Sequence, residues 1–271
     1  MKYILLFIFL SCISLFTVSA ADNYPVGARS AGVANASVTF SDVWSAFQNQ
    51  AGLAQVKDIS AGVYFENKFL LPDLSLKGFA LAVPVEKAGT FAVSATMFGG
   101  SLYNEKKAGI AFAKKLGGKF SAGVQVDYLS TYIAEDYGTR SSFAVEAGVL
   151  AEPVANLKIA AHIFNPNKAK LAEYTDERIP VIMRFGASYK FSEKVLLCAE
   201  EEKDIDLPEI FKAGLEYHVV DALYLRGGIA TNPSLSTFGF GLKFDKFILD
   251  IASSWHQQLG FTPQFSLEYQ F

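Results

Sequence analysis

Apolar and polar residues alternate with a period of two over most of the chain beyond residue 58. In residues 263–271, apolar side chains occupy every second position, and Gln, Ser or Glu occupies the positions between them. Residues 181–190, 211–219 and 238–244 show a similar alternation. Successive side chains of a β-strand point to opposite faces, so each segment has one apolar and one polar face. The pattern predicts an all-β protein.

Fourteen such segments are predicted, an even number, as bacterial outer-membrane barrels require. Most are close to the length that a tilted strand needs to cross a bilayer. The predicted strands are 59–66, 74–84, 90–98, 106–115, 119–132, 141–152, 157–165, 179–191, 195–203, 210–219, 223–231, 237–244, 247–255 and 263–271.

Short and long connections alternate between these strands. The short ones are "VEKAG", "LGGK", "PVAN", "SEK", "VDA" and "DK", and the longer ones include "ENKFLLPD", "NPNKAKLAEYTDE" and "HQQLGFT". Tight turns at one end and longer loops at the other are typical of outer-membrane barrels. No helix or second sheet is predicted to cover the apolar faces. Only a sheet that closes into a barrel can expose such faces to lipid without leaving unpaired strand edges. We therefore predict a single antiparallel transmembrane β-barrel; the alternative is a soluble β-sandwich with an aromatic core.

The N-terminus has the features of an export signal. Lys2 is followed by an apolar run that ends in small residues, which predicts Sec-type export with cleavage after Ala20. A lipoprotein signal that uses Cys12 is the alternative, but the residues before Cys12 lack a well-placed aliphatic side chain. The predicted organisation is a signal peptide at 1–20, a plug segment at 21–57 and the barrel at 58–271.

The C-terminus also points to the outer membrane. The last alternating strand ends on an aromatic residue, Phe271, which resembles the C-terminal signal that the barrel-insertion machinery reads. We therefore predict a location in the outer membrane of a Gram-negative bacterium, with outer-membrane lipid and the insertion machinery as partners.

The composition narrows the functional classes. Hydrophobic residues make up 51% of the chain and charged residues 19%, and the formal net charge is −3. This charge is too small to favour a nucleic-acid partner, and no basic cluster is present. The 24 Phe and 12 Tyr residues suit a membrane wall with aromatic girdles at its interfaces. Removal of the leader leaves Cys198 as the one cysteine, so no internal disulfide is expected.

No catalytic constellation is apparent in the sequence. The three histidines fall on different predicted strands or loops, and the motifs of serine hydrolases, zinc proteases and phosphate-binding loops are absent. His256 near Ser253 and Ser254 is the nearest approach to a serine–histidine pair. We predict a protein that is not an enzyme and has no cofactor or metal.

Charged residues fall on the polar faces, which point into the lumen of a barrel. Mixed signs favour cross-strand ion pairs that stiffen the wall and hold a plug, whereas an ion-selective path favours a ring of one sign. On this register Arg184 and Glu146 face the lumen, and Phe185 and Val145 face lipid. The predicted luminal polar residues are Asp127, Glu146, Arg184, Glu216, Arg226, Lys243 and Glu268, together with Glu200, Glu202, Lys212 and Asp250.

The first long loop has an apolar tip, formed by Phe69, Leu70 and Leu71. Exposed apolar residues on a loop usually cover something or bind something. The tip is therefore either a hydrophobic capture site at the outer mouth or a cover over the plug.

Residues 21–57 precede the first strand and do not alternate. Ser41 or Asp42 is predicted to cap a short helix that places Trp44 and Phe47 on one apolar stripe. So short a helix is unstable alone in water, and the lumen of a fourteen-stranded barrel is wide enough to hold it. We predict a luminal plug in which both aromatic side chains are buried.

The run "ARSAGVANASVTFSDVWSAFQNQAGLA", residues 28–54, resembles the N-terminal region of the FadL/toluene-transporter superfamily. It is most similar to the branch with PorV and PorQ, barrels linked to type IX secretion. In these families an A-R-x-x-G-x-x-x-A run leads to Asn-Pro-Ala-Gly-Leu, and the segment plugs a fourteen-stranded barrel. Gln50 stands in place of the Pro, which is expected to loosen the turn. The matching positions are Ala28, Arg29, Gly32, Ala36, Asn49, Ala51, Gly52 and Leu53, and the predicted plug residues are Trp44, Phe47, Asn49, Gly52 and Leu53.

The resemblance implies two functions. The first is uptake or passage of small hydrophobic compounds across the outer membrane. The second is a secretion-associated barrel, or a structural scaffold, whose outer loops bind exported proteins. The partners are accordingly a hydrophobic small molecule or secreted proteins.

Overall fold

The computed structural model describes residues 23–135, 138–171 and 179–271, so the predicted signal peptide lies outside the described residues. It contains fourteen strands that form one closed antiparallel barrel, which confirms the predicted fold class. The strands are β1 Ser60–Asn67, β2 Ser75–Val85, β3 Gly89–Gly99, β4 Tyr103–Lys115, β5 Phe120–Ile133, β6 Gly138–Ala151, β7 Leu157–Phe164, β8 Ile182–Ser192, β9 Val195–Asp204, β10 Ile210–Val220, β11 Leu223–Ala230, β12 Leu235–Phe244, β13 Phe247–His256 and β14 Gly260–Gln270.

The strand boundaries differ from the predicted ones by up to three residues. β4 begins at Tyr103 rather than at 106, because cross-strand pairing with the end of β5 extends it into residues that do not alternate. β8 begins at Ile182 rather than at 179, and Pro180 has no N–H to donate to the ladder there.

The barrel closes through β1, which pairs with both β2 and β14. Phe65 lies opposite Phe265 on β14 and opposite Lys77 on β2. Every pair of neighbouring strands is antiparallel. One end of the barrel, here called the turn end, therefore contains the start of β1, the end of β14 and the six short turns. The longer loops lie at the other end, called the loop end.

The two faces of the wall differ in character. On β8, Arg184 is 6% exposed and faces the lumen, whereas its neighbour Phe185 is 58% exposed on the outer face. Ile110 and Phe143 are likewise 70% and 63% exposed. The outer face is an apolar belt, as expected for a wall that contacts lipid.

Residues 23–57, here called the lumen segment, fill the barrel. The segment contains helix α1 at Ala28–Gly32, helix α2 at Ser45–Gln48 and a 3₁₀ helix at Gln50–Gln55. Its buried side chains, together with inward-facing alanines of the wall, supply most of the apolar core. Among the described residues, no helix is both long and apolar enough to cross a membrane.

The predicted helix cap is wrong. Helix α2 begins at Ser45, its N-cap residue is Trp44, and no side chain caps it. The Asp42 carboxylate instead accepts a hydrogen bond from the Trp44 N–H at 3.0 Å and pairs with Arg29 at 3.1 Å. Asp42 therefore forms a turn that precedes the helix and is tied to a distant part of the segment.

Candidate functional site: the filled lumen

Inward-facing glycines of the wall make room for the lumen segment. A Cβ atom added at Gly148 would lie 1.9 Å from Asn49 Oδ1, and one added at Gly214 would lie 2.4 Å from Val33 Cβ. A real side chain at such a position would displace the segment. These residues were not among the predicted site residues, although each is a glycine at an inward-facing position of an alternating strand. They are Gly62, Gly78, Gly123, Gly148, Gly186, Gly214, Gly228 and Gly239.

The contact between the lumen segment and strands β1–β4 is mostly apolar, with a hydrogen bond from Lys107 to Asn23 at 3.1 Å. Trp44 and Phe47 are each 1% exposed, and Leu53 is fully buried. The Trp44 ring packs edge-on to Tyr64, with ring centroids 6.3 Å apart. Small side chains of the wall accommodate these large ones: Ala80, Ala82, Ala92, Ala111 and Ala113.

This apolar contact, here called the apolar seam, extends to the loop end of the lumen. Tyr24 stacks on Phe98 with ring centroids 4.7 Å apart, and the Lys68 ammonium lies 4.3 Å from the Tyr24 ring centroid. Leu74 and Tyr103, from the loop end of the barrel, pack against the same cluster.

The turn at Asn49 joins the lumen segment to the wall. Asn49 Oδ1 accepts a hydrogen bond from the Ala51 N–H, and its Nδ2 donates to the carbonyls of Val38 at 2.9 Å and Val149 at 3.1 Å. A Cβ at Gly52 would lie 2.2 Å from the Phe40 carbonyl oxygen. Asn49 and Gly52 are therefore needed by the geometry of the turn.

Gln50 was expected to loosen this turn, but its side chain anchors the turn to the wall. The side chain is fully buried and donates from Nε2 to Glu146 Oε2 at 2.7 Å. Glu146 also pairs with Lys107 and lies 2.9 Å from His162 Nε2. Asp127 lies 3.6 Å from the same Lys107 ammonium.

A second cluster of charges surrounds Arg29 of helix α1. Its guanidinium makes two hydrogen bonds of 2.9 Å to Glu216, and Arg226 joins Glu216 to Asp250 at 2.7 and 2.6 Å. Burial acts to lower the pKa of Arg29, but the charges of Glu216 and Asp42 raise it above its ordinary value. Arg29 therefore remains a cation in the lumen and holds α1 to β10.

A third cluster holds the segment to β9. Glu200 Oε2 accepts hydrogen bonds from the backbone N–H groups of Ser37 and Val38, both at 2.8 Å. Lys212 lies between Glu200 and Glu202, at 3.0 and 2.9 Å. Removing one partner of such a buried group leaves an uncompensated charge, so these contacts constrain the position of the segment.

Most of the predicted luminal residues lie in these clusters. Asp127 and Glu146 lie in the cluster around Gln50, and Arg184 pairs with Glu202 of the third cluster at 2.6 Å. Glu216 and Arg226 form the second cluster. Glu268 is 4% exposed and accepts a hydrogen bond from Gln270.

Lys243 has the inward phase that was predicted, but it lies outside the buried clusters. Its side chain is exposed one residue before the end of β12 at Phe244. Lys107 was not among the predicted luminal residues, because adjacent lysines at 106 and 107 give no indication of which one faces inward.

The apolar loop tip is divided by the structure. Leu70 and Leu71 are 62% and 52% exposed. Phe69 is half-buried: its ring packs edge-on to His256, and its N–H donates to Thr262 Oγ1 at 3.1 Å. Only the two leucines are therefore placed to contact another molecule.

A cavity of about 370 Å³ lies at the turn end, beneath the lumen segment. Its lining includes Phe40, Leu157 and Leu196, with Arg29 and Lys158 at its polar side. The lumen segment therefore fills the barrel from the loop end but leaves a vestibule at the turn end.

Cys198 provides a natural reporter of the lumen segment. It lies on β9 and is 5% exposed, and Val33, Ala36 and Phe40 of the lumen segment pack against it. We expect Gly214→Ala to force Val33 away, at a cost of about 1–3 kcal/mol, and to raise the rate at which a water-soluble methanethiosulfonate modifies Cys198 by about tenfold.

The control for this experiment is Gly227→Ala on the adjacent strand, where an added Cβ would meet only the Thr237 carbonyl oxygen at 3.8 Å. Cys198→Ser identifies the labelled site. Equal labelling rates in the Gly214→Ala and Gly227→Ala proteins would contradict close packing of Val33 on the wall.

Comparison with known proteins gives a fold but no sequence family. No protein-family model matches the chain, and no curated protein matches it. Among solved structures, a Pseudomonas aeruginosa FadL homologue aligns with a TM-score of 0.68 and 14% identity, over 92% of this chain and 99% of that chain.

Two channels show the same level of similarity. The CymD monoaromatic hydrocarbon channel aligns with a TM-score of 0.66 and 13% identity, over 93% of this chain and 99% of that chain. The P. putida toluene transporter TodX aligns with a TM-score of 0.66 and 13% identity, over 92% and 99%. The chain thus shares the fold of these outer-membrane barrels.

Proposed function

We propose that this protein is an outer-membrane channel for small apolar compounds and that the lumen segment is its plug. The observation that carries the proposal is the apolar seam between the segment and strands β1–β4. It begins at the loop end with Leu74, Phe98 and Tyr103 and continues past Trp44 to Phe47 and Leu53. An apolar compound can leave water at the outer mouth and remain in apolar surroundings along this line.

The two sides of the plug have different roles in this proposal. The side toward β5–β13 is held by Arg29, Gln50 and the backbone at Ser37, all bonded to buried wall carboxylates. The seam is held mainly by packing, together with a hydrogen bond from Lys107 to Asn23 and the contact of Lys68 with Tyr24. It separates at lower cost, because no ion pair between the segment and the wall has to break there. The vestibule of about 370 Å³ at the turn end then provides space for release.

The substrate class is small apolar and aromatic molecules. The seam is lined by aromatic rings at the loop end and by alanines farther in, so it can accommodate a molecule of about one ring when the plug shifts slightly. Leu70 and Leu71 at the outer mouth are the proposed capture residues. The similar folds of a toluene transporter and a monoaromatic hydrocarbon channel support this class.

Uptake of toluene by cells tests the proposal. Phe98→Asp places a carboxylate in the entrance of the seam, where Phe98 is 9% exposed, and we expect it to reduce uptake by about tenfold or more. The matched control is Leu102→Asp, at the same end but 74% exposed, which should take up toluene like the unaltered protein. Unchanged uptake in the Phe98→Asp protein would show that the seam is not the path.

The second candidate function is a secretion-associated barrel of the PorV/PorQ type, in which outer loops bind exported proteins. The observation that favours it is the row of exposed leucines on the loop end: Leu70, Leu71, Leu102 and Leu259, each more than half exposed. The same variants separate the two functions. If Leu102→Asp releases co-purifying secretion components while Phe98→Asp retains them and still takes up toluene, the secretion role replaces the channel role.

A further inference from the structure

Charged side chains are rare on the outer face of the barrel. The outward positions of β1–β6 carry no acidic side chain in the described part of the chain. They carry three lysines, Lys77 on β2 and Lys106 and Lys114 on β4. Two of these, Lys77 and Lys106, lie two or three residues from the loop end of their strands, and Lys114 lies near the turn end.

Lys77 and Lys106 flank a single residue. Met97 on β3 is the direct cross-strand neighbour of both, opposite Lys77 on one side and Lys106 on the other. Since adjacent strands lie about 4.8 Å apart, the two Cα atoms are separated by roughly 10 Å. Two flexible side chains at this spacing can hold two anionic groups of one molecule.

The surface beside the lysines is polar and lies directly above apolar positions. Ser130 is the cross-strand neighbour of Lys106, and Ser141 is the neighbour of Ser130. Two residues nearer the turn end, Tyr128 and Phe143 face outward with ring centroids 5.5 Å apart. The lysines therefore lie at the loop-end border of the apolar belt, where lipid headgroups begin.

Strands β4–β6 are also the longest of the barrel. They contain 13, 14 and 14 residues, whereas β7, β9 and β11 contain 8, 10 and 8. Their loop-end extensions carry outward polar groups rather than apolar ones. This side of the barrel thus presents a hydroxyl-bearing, basic surface at headgroup level.

We propose that Lys77 and Lys106 bind the phosphate groups of lipid A in the outer leaflet. Lipid A is a disaccharide with acyl chains and phosphates at both ends, so it matches two ammonium groups above an apolar wall. Ammonium–phosphate hydrogen bonds are charge-assisted, and the absence of outward carboxylates in described strands β1–β6 leaves no competing acid on this face. Lipid A binding is separate from the proposed channel function and requires only that the protein lies in the outer membrane.

Native mass spectrometry of the full chain in detergent tests the proposal, with purified lipid A as the probe. We expect bisphosphorylated lipid A to bind and lipid A without phosphates to bind at least about tenfold more weakly. The Lys77→Gln/Lys106→Gln protein should show the same loss toward bisphosphorylated lipid A. Lys114→Gln, on the same face of β4 near its other end, is the matched control and should bind normally.

Several results would overturn the proposal. One is equal binding of the two lipid A forms. Another is equal binding by the double variant, which would mean that the lysines only extend toward the interface. A third is equally tight binding of phosphatidylglycerol, a sign of general attraction to anionic lipid. Heat-modifiable migration on gels verifies that each variant is folded. The binding is measured without transport, so its failure leaves the channel proposal unaffected.

Discussion

A chain that lacks residues 30–52 is expected to insert as a folded barrel and to conduct ions in a planar bilayer, where the intact protein is closed. The deletion removes Trp44, Phe47 and the turn at Asn49, which fill the lumen between the wall strands. The wall keeps its own ladder of backbone hydrogen bonds around the closed barrel, so closure of the sheet does not depend on the segment.

The lumen exposed by this deletion is polar over most of its circumference. Glu146 loses Gln50, and Glu200 loses the backbone N–H groups of Ser37 and Val38, so both carboxylates become solvated. Water and ions therefore replace the segment, since charged walls cannot collapse on one another. The measurement is single-channel conductance, with heat-modifiable migration on gels as the check on folding.

A matched control separates specific packing from simple filling of space. Replacing residues 30–52 by a Gly-Ser sequence of equal length keeps chain in the lumen. It removes the contacts that these residues make to wall glycines and to Glu146 and Glu200. We expect flickering openings rather than steady closure. If the deleted, replaced and intact proteins conduct equally, the lumen segment is not a plug.

Ile110→Arg is expected to destabilise the folded barrel by about 2–4 kcal/mol, because it places a charge on the lipid-facing wall near the middle of β4. Ile110 is 70% exposed, and its cross-strand neighbours Val93 and Val126 are apolar. The measurement is the free energy of unfolding from lipid vesicles by urea titration.

Phe185→Arg should cost less than Ile110→Arg, although both side chains face outward. The cross-strand neighbour of Phe185 on β9 is Glu201, which can pair with the new guanidinium. Arg184→Gln, on the inner face, should insert normally, because Lys212 remains beside Glu202. Normal stability of the Ile110→Arg protein combined with failed insertion of Arg184→Gln would mean that the faces of the wall are assigned the wrong way round.

The sequence by itself determined the strands and the faces of the wall. A period-two pattern is local, because neighbouring residues of one strand decide which side is apolar, and turn lengths report the two ends of the barrel. The same local reasoning placed Arg184 inward and Phe185 outward. It also singled out Trp44 and Phe47, which stand outside the pattern and needed a surface to cover them.

The tertiary structure decided which polar groups meet. Arg29 and Glu216 are 187 residues apart in the chain, and Gln50 and Glu146 are 96 apart. Their pairing depends on the closure of the barrel and on the depth of the lumen segment inside it. Neither property can be read from the residues of one short stretch of sequence. Gly148 faces the lumen segment at a distance that only the assembled wall defines. Lys243 has an inward phase, yet lies outside the buried clusters, because alternation gives the direction of a side chain and says nothing about its height in the barrel.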